Sequence, residues 1–445
     1  MTESATIVTE HLLDDLSRLC ALPGRAEYDD ELAIVATRIA TMMGQRGLRT
    51  HLIPTSGAPV VIGWCSGRSP YTLLLYHHYD VAPTGPWRAW HHEPFQLAER
   101  DQVLYGRGVA DGKGPLLAHL SALSAIMEAE GELPCGVVVL VEGEGLQGSP
   151  SLPFAVSQLP DDMRVDACLA TGGERDATGM PLCYTGVKGW LHMQMTAVGA
   201  NQTLPPGFAT SVSNPLWRLV WALSHIKNED EEILIEGFYD SIESPDRAIN
   251  KAIRKIHLDE DGRLRSWGTG QFLFTMEGTS LTSAEATLPT CNVSRLVVEP
   301  TNDIAAIPMV ATTRLDFQLV PGQKPQVVVD LVHKHLKNKG ITDITIEWFG
   351  KYPPAATPFD HAFVKQVCDI GQHLYGMSLK WLPLGAFAQP LCFFQETFQA
   401  PIAVIGCARP DSAIYGPNEH IPLNDLVRHG QLLMELLYSC AKNEV

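Results

Sequence analysis

The chain has 445 residues and a formal net charge of −17, which is enough length for two domains of ordinary size. The acidic excess argues against nucleic acid or an anionic membrane surface as a partner, because both need basic patches. Residues 1–10 show no signal-peptide pattern, no apolar stretch reaches transmembrane length, and the ten cysteines form no Cys-x-x-Cys pair. These features predict a cytoplasmic protein with reduced thiols and no membrane contact.

The first part of the chain alternates between helices and strands. Apolar residues at helical spacing predict helices at residues 11–21, 31–45 and 115–128. Apolar runs predict strands at residues 60–65, 72–76, 136–141 and 165–170. Strands that are apolar throughout are typical of a sheet covered by helices on both faces. Residues 1–188 are therefore predicted to form the first part of a catalytic-type α/β domain.

After Lys188 the sequence changes its character. Alternating residues predict half-exposed strands at residues 190–198, 272–274, 292–298 and 311–319, and helical spacing predicts helices at 214–225 and 324–337. The α/β pattern returns from Phe359, with a helix to Leu374, a strand at 402–405 and a helix at 423–441. The predicted fold class is α/β, a parallel-rich mixed sheet covered by helices, with an inserted α+β domain at residues 189–355 and its second part at 356–445.

Polar side chains stand where an apolar strand ends. His78 and Asp80 close the run 73–80, and Asp111 follows a glycine-rich turn just ahead of the predicted helix 115–128. Side chains two apart on a strand share one face, so Asp80 can orient the His78 imidazole. Such a group could hold a metal ion or, without one, supply an oriented general base.

A series of motifs resembles one known family. The motifs are His78-Tyr79-Asp80-Val81-Ala82-Pro83, Trp90 with Glu93-Pro94-Phe95, Gly106-Arg107-Gly108 with Asp111-Gly112-Lys113-Gly114, Asn214-Pro215, Pro289-Thr290 with Asn292, Arg314-Leu315 with Val320-Pro321-Gly322-Gln323, and Pro417-Asn418-Glu419. In them the chain is similar to the co-catalytic zinc peptidases and amidohydrolases that include carnosinase, carboxypeptidase G, aminoacylase and succinyl-diaminopimelate desuccinylase. The dipeptidase branch fits best.

The resemblance implies a fold and a partner. The family has an α/β catalytic domain interrupted by a lid domain, through which a homodimer often forms. It implies a small amino-acid-like or dipeptide-like substrate, gripped by lid residues that match Asn292 and Arg314; a salt bridge within the lid is the alternative for Arg314. Arginine suits a carboxylate because its donors form a planar fork.

The family chemistry uses two zinc ions, a bridging water and a glutamate base. The resemblance assigns one metal ligand to His78, the bridging ligand to Asp111 and the orienting carboxylate to Asp80. The remaining functional positions hold other residues: Gly145 at the general base, Leu146, Gly172 and Tyr415 at ligands, and Leu204 at the oxyanion-binding histidine. Because a catalytic zinc normally has three protein ligands, we predict no cofactor, or one divalent metal (zinc) at reduced occupancy, rather than two zinc ions.

Neighbouring residues could restore part of the site. Glu144 could reach the base position if its loop shifts by one residue, and Glu142 or Glu174 could replace a metal ligand. The alternative for all three is a solvated loop carboxylate. Tyr415 places a hydroxyl where the family has an imidazole, or its ring only fills the space.

Three functions follow from these alternatives. The favoured one is an enzyme that acts on a small amino-acid-derived amide, with a remodelled site that is metal-poor or metal-free, by hydrolysis, acyl transfer or condensation. The second is a non-catalytic binding or scaffolding homologue. The third is a true metal-dependent peptidase that uses the surrogate glutamates.

Overall fold

A large mixed sheet and a smaller antiparallel sheet organise the chain in the computed structural model, which describes residues 3–160, 162–300 and 304–442. The strands are β1 Arg49–Ile53, β2 Val60–Cys65, β3 Gly67–His78, β4 Ala98–Arg100, β5 Val103–Tyr105, β6 Leu133–Glu142, β7 Ala167–Thr171, β8 Cys183–Tyr184, β9 Gly186–Val187, β10 Gly189–Val198, β11 Thr290–Glu299, β12 Val310–Leu319, β13 Ile344–Tyr352, β14 Ala355–Ala356, β15 Trp381–Leu382, β16 Ile402–Ile405 and β17 His420–Pro422.

Helices pack against both sheets. They are α1 Glu3–Cys20, α2 Asp29–Gln45, α3 Lys113–Glu130, α4 Leu152–Ser157, α5 Pro215–Ile226, α6 Arg247–Ile253, α7 Glu260–Trp267, α8 Gly278–Thr287, α9 Pro325–Asn338, α10 Ala362–Asp369, α11 Gly371–Tyr375, α12 Cys392–Phe398 and α13 Leu423–Cys440. Among the described residues, no helix is long and apolar enough to cross a membrane.

The large sheet has eight strands in the order β1-β2-β6-β3-β7-β16-β8-β15. Its central strands β6, β3, β7 and β16 run parallel, whereas β1 and β2 pair antiparallel at one side. All ten residues of β6 are buried, because a strand covered on both faces has no polar face. This confirms the predicted fold class and places the carboxyl ends of β3, β6 and β7 at one edge, where α/β proteins bind ligands.

The smaller sheet is antiparallel, in the order β11-β12-β10-β13. β10 alternates buried and half-buried residues along most of its length, as does β12, because one face packs on α5 and α9 while the other is partly exposed. Asn214 begins α5, where its side-chain oxygen accepts the Leu216 N–H at 2.9 Å.

Helices α6, α7 and α8 lie between α5 and β11, in a part of the sequence where we predicted no helix. Ile253, Ile256, Leu258 and Leu281 pack into the core that covers one face of the large sheet. The predicted strand at residues 272–274 is wrong. It is a 3-10 turn in which Phe274 has a φ of 53°, a left-handed conformation that a strand excludes.

Candidate active site

His78 is the last residue of β3 and lies between two carboxylates. Its Nδ1 is 3.1 Å from Asp80 Oδ1, and its Nε2 is 3.3 Å from Asp111 Oδ1. Burial of the ring opposes protonation, but the charges and hydrogen bonds of Asp111 and Asp80 outweigh it and raise the pKa of His78 well above its usual value. The structure thus brings together the three residues that the sequence singled out, with the imidazole held as a cation.

Asp80 is completely buried and is held by backbone donors. The Gly145 N–H donates to Asp80 Oδ1 at 3.2 Å, and the Leu146 N–H donates to Oδ2 at 2.8 Å. A carboxylate that accepts two backbone N–H groups is fixed in position. Asp80 therefore fixes the orientation of the His78 ring.

Asp111 is positioned by Glu419, which is 1% exposed. The Glu419 carboxylate accepts the backbone N–H groups of Gly108, Ala110 and Asp111 at 3.0, 2.9 and 3.1 Å, and it pairs with Arg107 Nη1 at 2.8 Å. These bonds satisfy donors that a glycine-rich turn would otherwise leave unpaired. The Asp111 side chain keeps 31% of its surface exposed, so it can reach a bound molecule.

A cleft of about 270 Å³ opens beside His78 and Asp111. Tyr415 also lines it, on a loop where its φ of 67° is left-handed, and the Arg107 guanidinium donates to the carbonyls of Tyr415 and Gly416. Strained backbone of this kind persists where the surrounding structure holds it. Gly145, Leu146 and Gly172, which the motif comparison predicted to stand at replaced functional positions, line the same cleft.

At two of these positions a side chain larger than glycine would meet close neighbours, so those neighbours would have to shift. A Cβ at Gly145 would lie 2.9 Å from His78 Cβ, and one at Gly172 would lie 2.9 Å from Gln389 Nε2 and 3.1 Å from the Phe387 ring. Gln389 donates to the Thr171 carbonyl at 2.8 Å and, with Phe387, fills the space beside Gly172. Neither Gln389 nor Phe387 was predicted as a site residue.

The surrogate glutamates are engaged elsewhere. Glu144 accepts the N–H groups of Ala58 and Ser151 at 3.3 and 3.0 Å, so the structure does not bring it to the cleft as the shifted-loop hypothesis required. Glu142 accepts hydrogen bonds from Tyr76 and Ser149, and burial raises its pKa to about 8 in spite of them. A largely protonated carboxyl is a poor ligand for a metal ion.

Glu174 lines the cleft but is held by Arg263. The Arg263 Nη2 lies 2.7 Å and its Nε 3.0 Å from Glu174 Oε2, and its Nη1 lies 2.7 Å from Glu285 Oε1. Burial raises the pKa of Glu174, while the charge of Arg263 opposes that shift. Arg263 and Glu285 are cleft residues that the sequence did not reveal, because they lie in a polar stretch with no recognisable motif.

The lid residues of the prediction do not line the cleft. Arg314 donates from Nε to Gln194 at 3.2 Å and lies over the Phe349 ring, and Asn292 is exposed on β11. Leu204 pairs with Ile307 through backbone bonds, away from the cleft lining. Within the described residues, the site is therefore formed from the large sheet, its loops and helices α7 and α8.

Fold and site define a class of protein: a hydrolase-type α/β domain whose cleft lies at the carboxyl edge of the sheet. The sequence profile described as peptidase family M20/M25/M40 matches residues 74–439. The chain belongs to this family, which confirms the resemblance predicted from the motifs.

Curated relatives include two named peptidases. The probable di- and tripeptidase DUG2 of Saccharomyces cerevisiae is 24% identical over 95% of this chain and 50% of its own length. The Beta-Ala-His dipeptidase of Homo sapiens is 25% identical over 79% of this chain and 71% of its own. The chain thus spans about half the length of the yeast relative.

A solved structure has the same fold over nearly the whole chain. The M20 family metallo-carboxypeptidase Sso-CP2 from Sulfolobus solfataricus has a TM-score of 0.89 and 27% identity, and the match covers 99% of this chain and 100% of that one. Its name marks it as a metal enzyme, as does that of the Cys-Gly metallodipeptidase DUG1 of Candida albicans, which is 30% identical over 41% of this chain and 39% of its own.

The side chains of this site do not fit the metal pair that such relatives imply. A catalytic zinc needs three protein ligands, and no group of three His, Cys, Asp or Glu that could hold a metal occurs in the described part of the chain. His78 and Asp111 face each other, while glycine or leucine stands at three ligand or base positions. His78 and Asp111 are thus the two residues of the predicted ligand set that the structure brings together.

Proposed function

We propose that the chain is a dipeptidase-like amide hydrolase of the M20 family that cleaves small amino-acid-derived amides at a remodelled, metal-poor centre. The observation that carries the proposal is the Asp80–His78–Asp111 row at the mouth of a small cleft, with distances of 3.1 and 3.3 Å. Family membership supports hydrolysis of an amide bond, and the cleft volume of about 270 Å³ suits a dipeptide-sized molecule.

In this proposal Asp111 is the general base. Its Oδ1 faces His78, so its other oxygen is available to a water molecule in the cleft. Asp111 takes a proton from that water as the water oxygen bonds to the amide carbon. The His78 imidazolium, held by Asp80, gives its proton to the departing nitrogen as the C–N bond breaks, and Asp111 returns the first proton to His78.

Tyr415 has the role of an oxyanion donor in the same proposal. Its hydroxyl is a neutral donor in the cleft that His78 and Asp111 also line. When the amide carbonyl becomes an oxyanion, a hydrogen bond from this hydroxyl stabilises the developing charge. Acyl transfer to an amine would use the same groups, with an amine in place of water.

The decisive experiment measures metal content and hydrolysis together. Zinc in the purified chain is counted by plasma mass spectrometry before any chelator is added. Hydrolysis of β-alanyl-histidine and cysteinyl-glycine is then assayed before and after dialysis against a chelator. We expect less than about one zinc per chain, with turnover unchanged by chelation. Two zinc ions per chain, or turnover lost on chelation and restored by zinc, would overturn the metal-poor centre. Absence of turnover with every dipeptide tested would favour the binding homologue.

The domain arrangement and the homodimer belong to the same proposal. We assign residues 1–188 and 356–445 to the catalytic domain and 189–355 to the lid. The lid exposes Trp217 and Trp221 on α5 and Leu296 on the edge strand β11, each about half accessible, and exposed apolar groups of this kind favour a protein contact. Light scattering should give twice the chain mass of 48.7 kDa, and Trp221→Glu should give the monomer.

A cytoplasmic location is also proposed. All ten cysteines are free, and nine of them are buried. Unpaired thiols in such number favour a reducing compartment.

A further inference from the structure

A group of charged side chains lines the cleft in addition to His78 and Asp111. It consists of Glu174, Arg263 and Glu285, and is called the arginine-glutamate cluster below. We infer that this cluster is a subsite for a protonated amino group of the substrate, with the two glutamates as acceptors and Arg263 as the residue that positions them. The inference deepens the proposed function and rests on it for the reaction.

The geometry leaves acceptors available to a ligand. The side chain of Arg263 is 5% exposed, whereas the side chains of Glu174 and Glu285 are 23% and 26% exposed. Both bonds from Arg263 to Glu174 end on Oε2, and the bond to Glu285 ends on Oε1. Glu174 Oε1 and Glu285 Oε2 thus accept no hydrogen bond from the described residues. An ammonium group has three donors for such oxygens.

The local charge favours a cation. The guanidinium of Arg263 pairs with two carboxyl groups, those of Glu174 and Glu285. The two acidic side chains of the cluster thus outnumber its single basic one. Lys188 is buried, does not line the cleft, and donates to the Leu288 carbonyl at 2.9 Å. A partly buried excess charge is costly unless it is paired, and a bound ammonium group pairs it.

Aromatic rings provide an independent indication of a cationic ligand. Tyr76, Tyr184 and Phe387 line the same cleft, and the last two meet edge to face with ring centroids 5.2 Å apart. The face of an aromatic ring attracts a cation, most strongly where water is excluded. The Tyr184 hydroxyl accepts the Glu174 N–H at 3.1 Å, which places this ring beside the cluster. Carboxylates together with aromatic faces form a recognition surface for an alkylammonium group.

The substrate class follows from these features. The walls also contain leucines, Leu146, Leu258, Leu382 and Leu384, which suit methylene groups rather than polar atoms. We therefore expect an amide that carries an aliphatic amino group in its acyl part. A carboxylate at the same place would meet two glutamates and be repelled.

The test is a binding experiment with matched small amides. Hexanamide, 6-aminohexanamide and 6-amino-6-oxohexanoate differ in a terminal methyl, ammonium or carboxylate, and calorimetry on the full chain measures their affinities without turnover. The ammonium compound should bind at least about tenfold more tightly than hexanamide, and the carboxylate most weakly. Glu285→Gln should remove most of that preference, and Glu285→Lys should shift it toward the carboxylate.

A matched control changes an exposed carboxylate outside the cleft. Glu132→Gln should keep the full preference for the ammonium compound, because Glu132 is exposed and does not line the cleft. Thermal melts confirm that each variant is folded before it is titrated. Equal affinity for the three compounds, no measurable binding of any, or a preference that survives Glu285→Lys would overturn the subsite. Failure of dipeptide hydrolysis leaves this binding result unaffected, so the two proposals fail separately.

Discussion

The cleft at the carboxyl edge of the large sheet has two sides, one at His78 and Asp111 and the other at Gly172, and they are held in place in different ways. Beside His78 and Asp111, two buried carboxylates accept hydrogen bonds from the backbone. Asp80 accepts two N–H groups, and Glu419 accepts three. Around Gly172 the neighbouring space is filled by the side chains of Gln389 and Phe387. Hydrogen bonds from the backbone thus position the groups on one side of the cleft, whereas side-chain packing shapes the other.

The largest expected effect comes from removing the imidazole. His78→Ala should lower kcat/KM for a cleaved dipeptide by a factor of about 10² to 10⁴, the usual range for a general acid or base. A control variant, His51→Ala, removes an exposed histidine on β1 and should leave the rate unchanged. If His78→Ala retains full activity, the side of the cleft that holds His78 and Asp111 does not carry out the reaction.

Removing the support of Asp111 should destabilise the whole protein. Glu419→Ala leaves the buried Arg107 without its partner and three backbone donors without an acceptor. We expect the free energy of unfolding to fall by about 3–5 kcal/mol, as for other broken buried ion pairs. Urea unfolding measures it. A loss below about 1 kcal/mol, the value typical of an exposed pair, would mean that Glu419 supports little.

Acid should weaken a buried histidine chain that joins the two sides. His77 Nε2 lies 2.9 Å from His119 Nδ1, and His429 Nε2 lies 2.9 Å from Thr171 Oγ1. The rings of His119 and His429 stack on each other. Burial lowers the pKa of all three, and that of His119 to about 3.

The sign of the effect follows from proton uptake. Below about pH 6.5 the unfolded chain binds protons that the buried histidines of the folded chain do not, so stability falls as the pH falls. For His119 the loss is about 1.4 kcal/mol per pH unit as the pH falls from 6.5 toward 3. His119→Gln should reduce the slope of unfolding free energy against pH by about one proton between pH 6 and 5. The exposed-site variant His51→Gln should not, and equal slopes for both would refute the neutral chain.

The smallest effect is expected on the packed side. Gly172→Asp places a carboxylate at a family ligand position, but its Cβ meets Gln389 and Phe387, and overpacking of this kind costs about 1–3 kcal/mol. Melting should show the loss and metal analysis no gain in bound zinc. Gly172→Ala is the control for size alone. Stoichiometric zinc in the Gly172→Asp variant would contradict this expectation, because it would show that Gln389 and Phe387 can move aside for a metal ion.

Much of the fold followed from hydrophobic periodicity. β2 and β16 have the predicted bounds, and the helices at both ends of the chain are confirmed to within a few residues apart from the start of α1. β13 was missed because Glu347 and Lys351 interrupt a half-exposed strand. Helices α6 to α8 were missed because they are short, and α7 in particular is highly polar.

The arrangement of site residues could be predicted where the residues are close together in the sequence. His78 and Asp80 are two residues apart on one strand, so their contact follows from the pleat. The direction of the Glu144 side chain could not be predicted, because β6 ends at Glu142 and alternation no longer applies beyond it. Arg263 reaches Glu174 across 89 positions of sequence, and only the tertiary fold brings such residues together.

The contacts that hold Asp80 have a further consequence. Its two donors at Gly145 and Leu146 are peptide N–H groups, and a peptide N–H is the same whichever side chain the residue carries, proline excepted. Position 146 lines the cleft, so its side chain could be varied over many generations, or in a designed library, without loosening the histidine beneath it. In the proposed enzyme, the side chain at position 146 can therefore change substrate preference while the backbone N–H of the same residue keeps Asp80 and His78 in place.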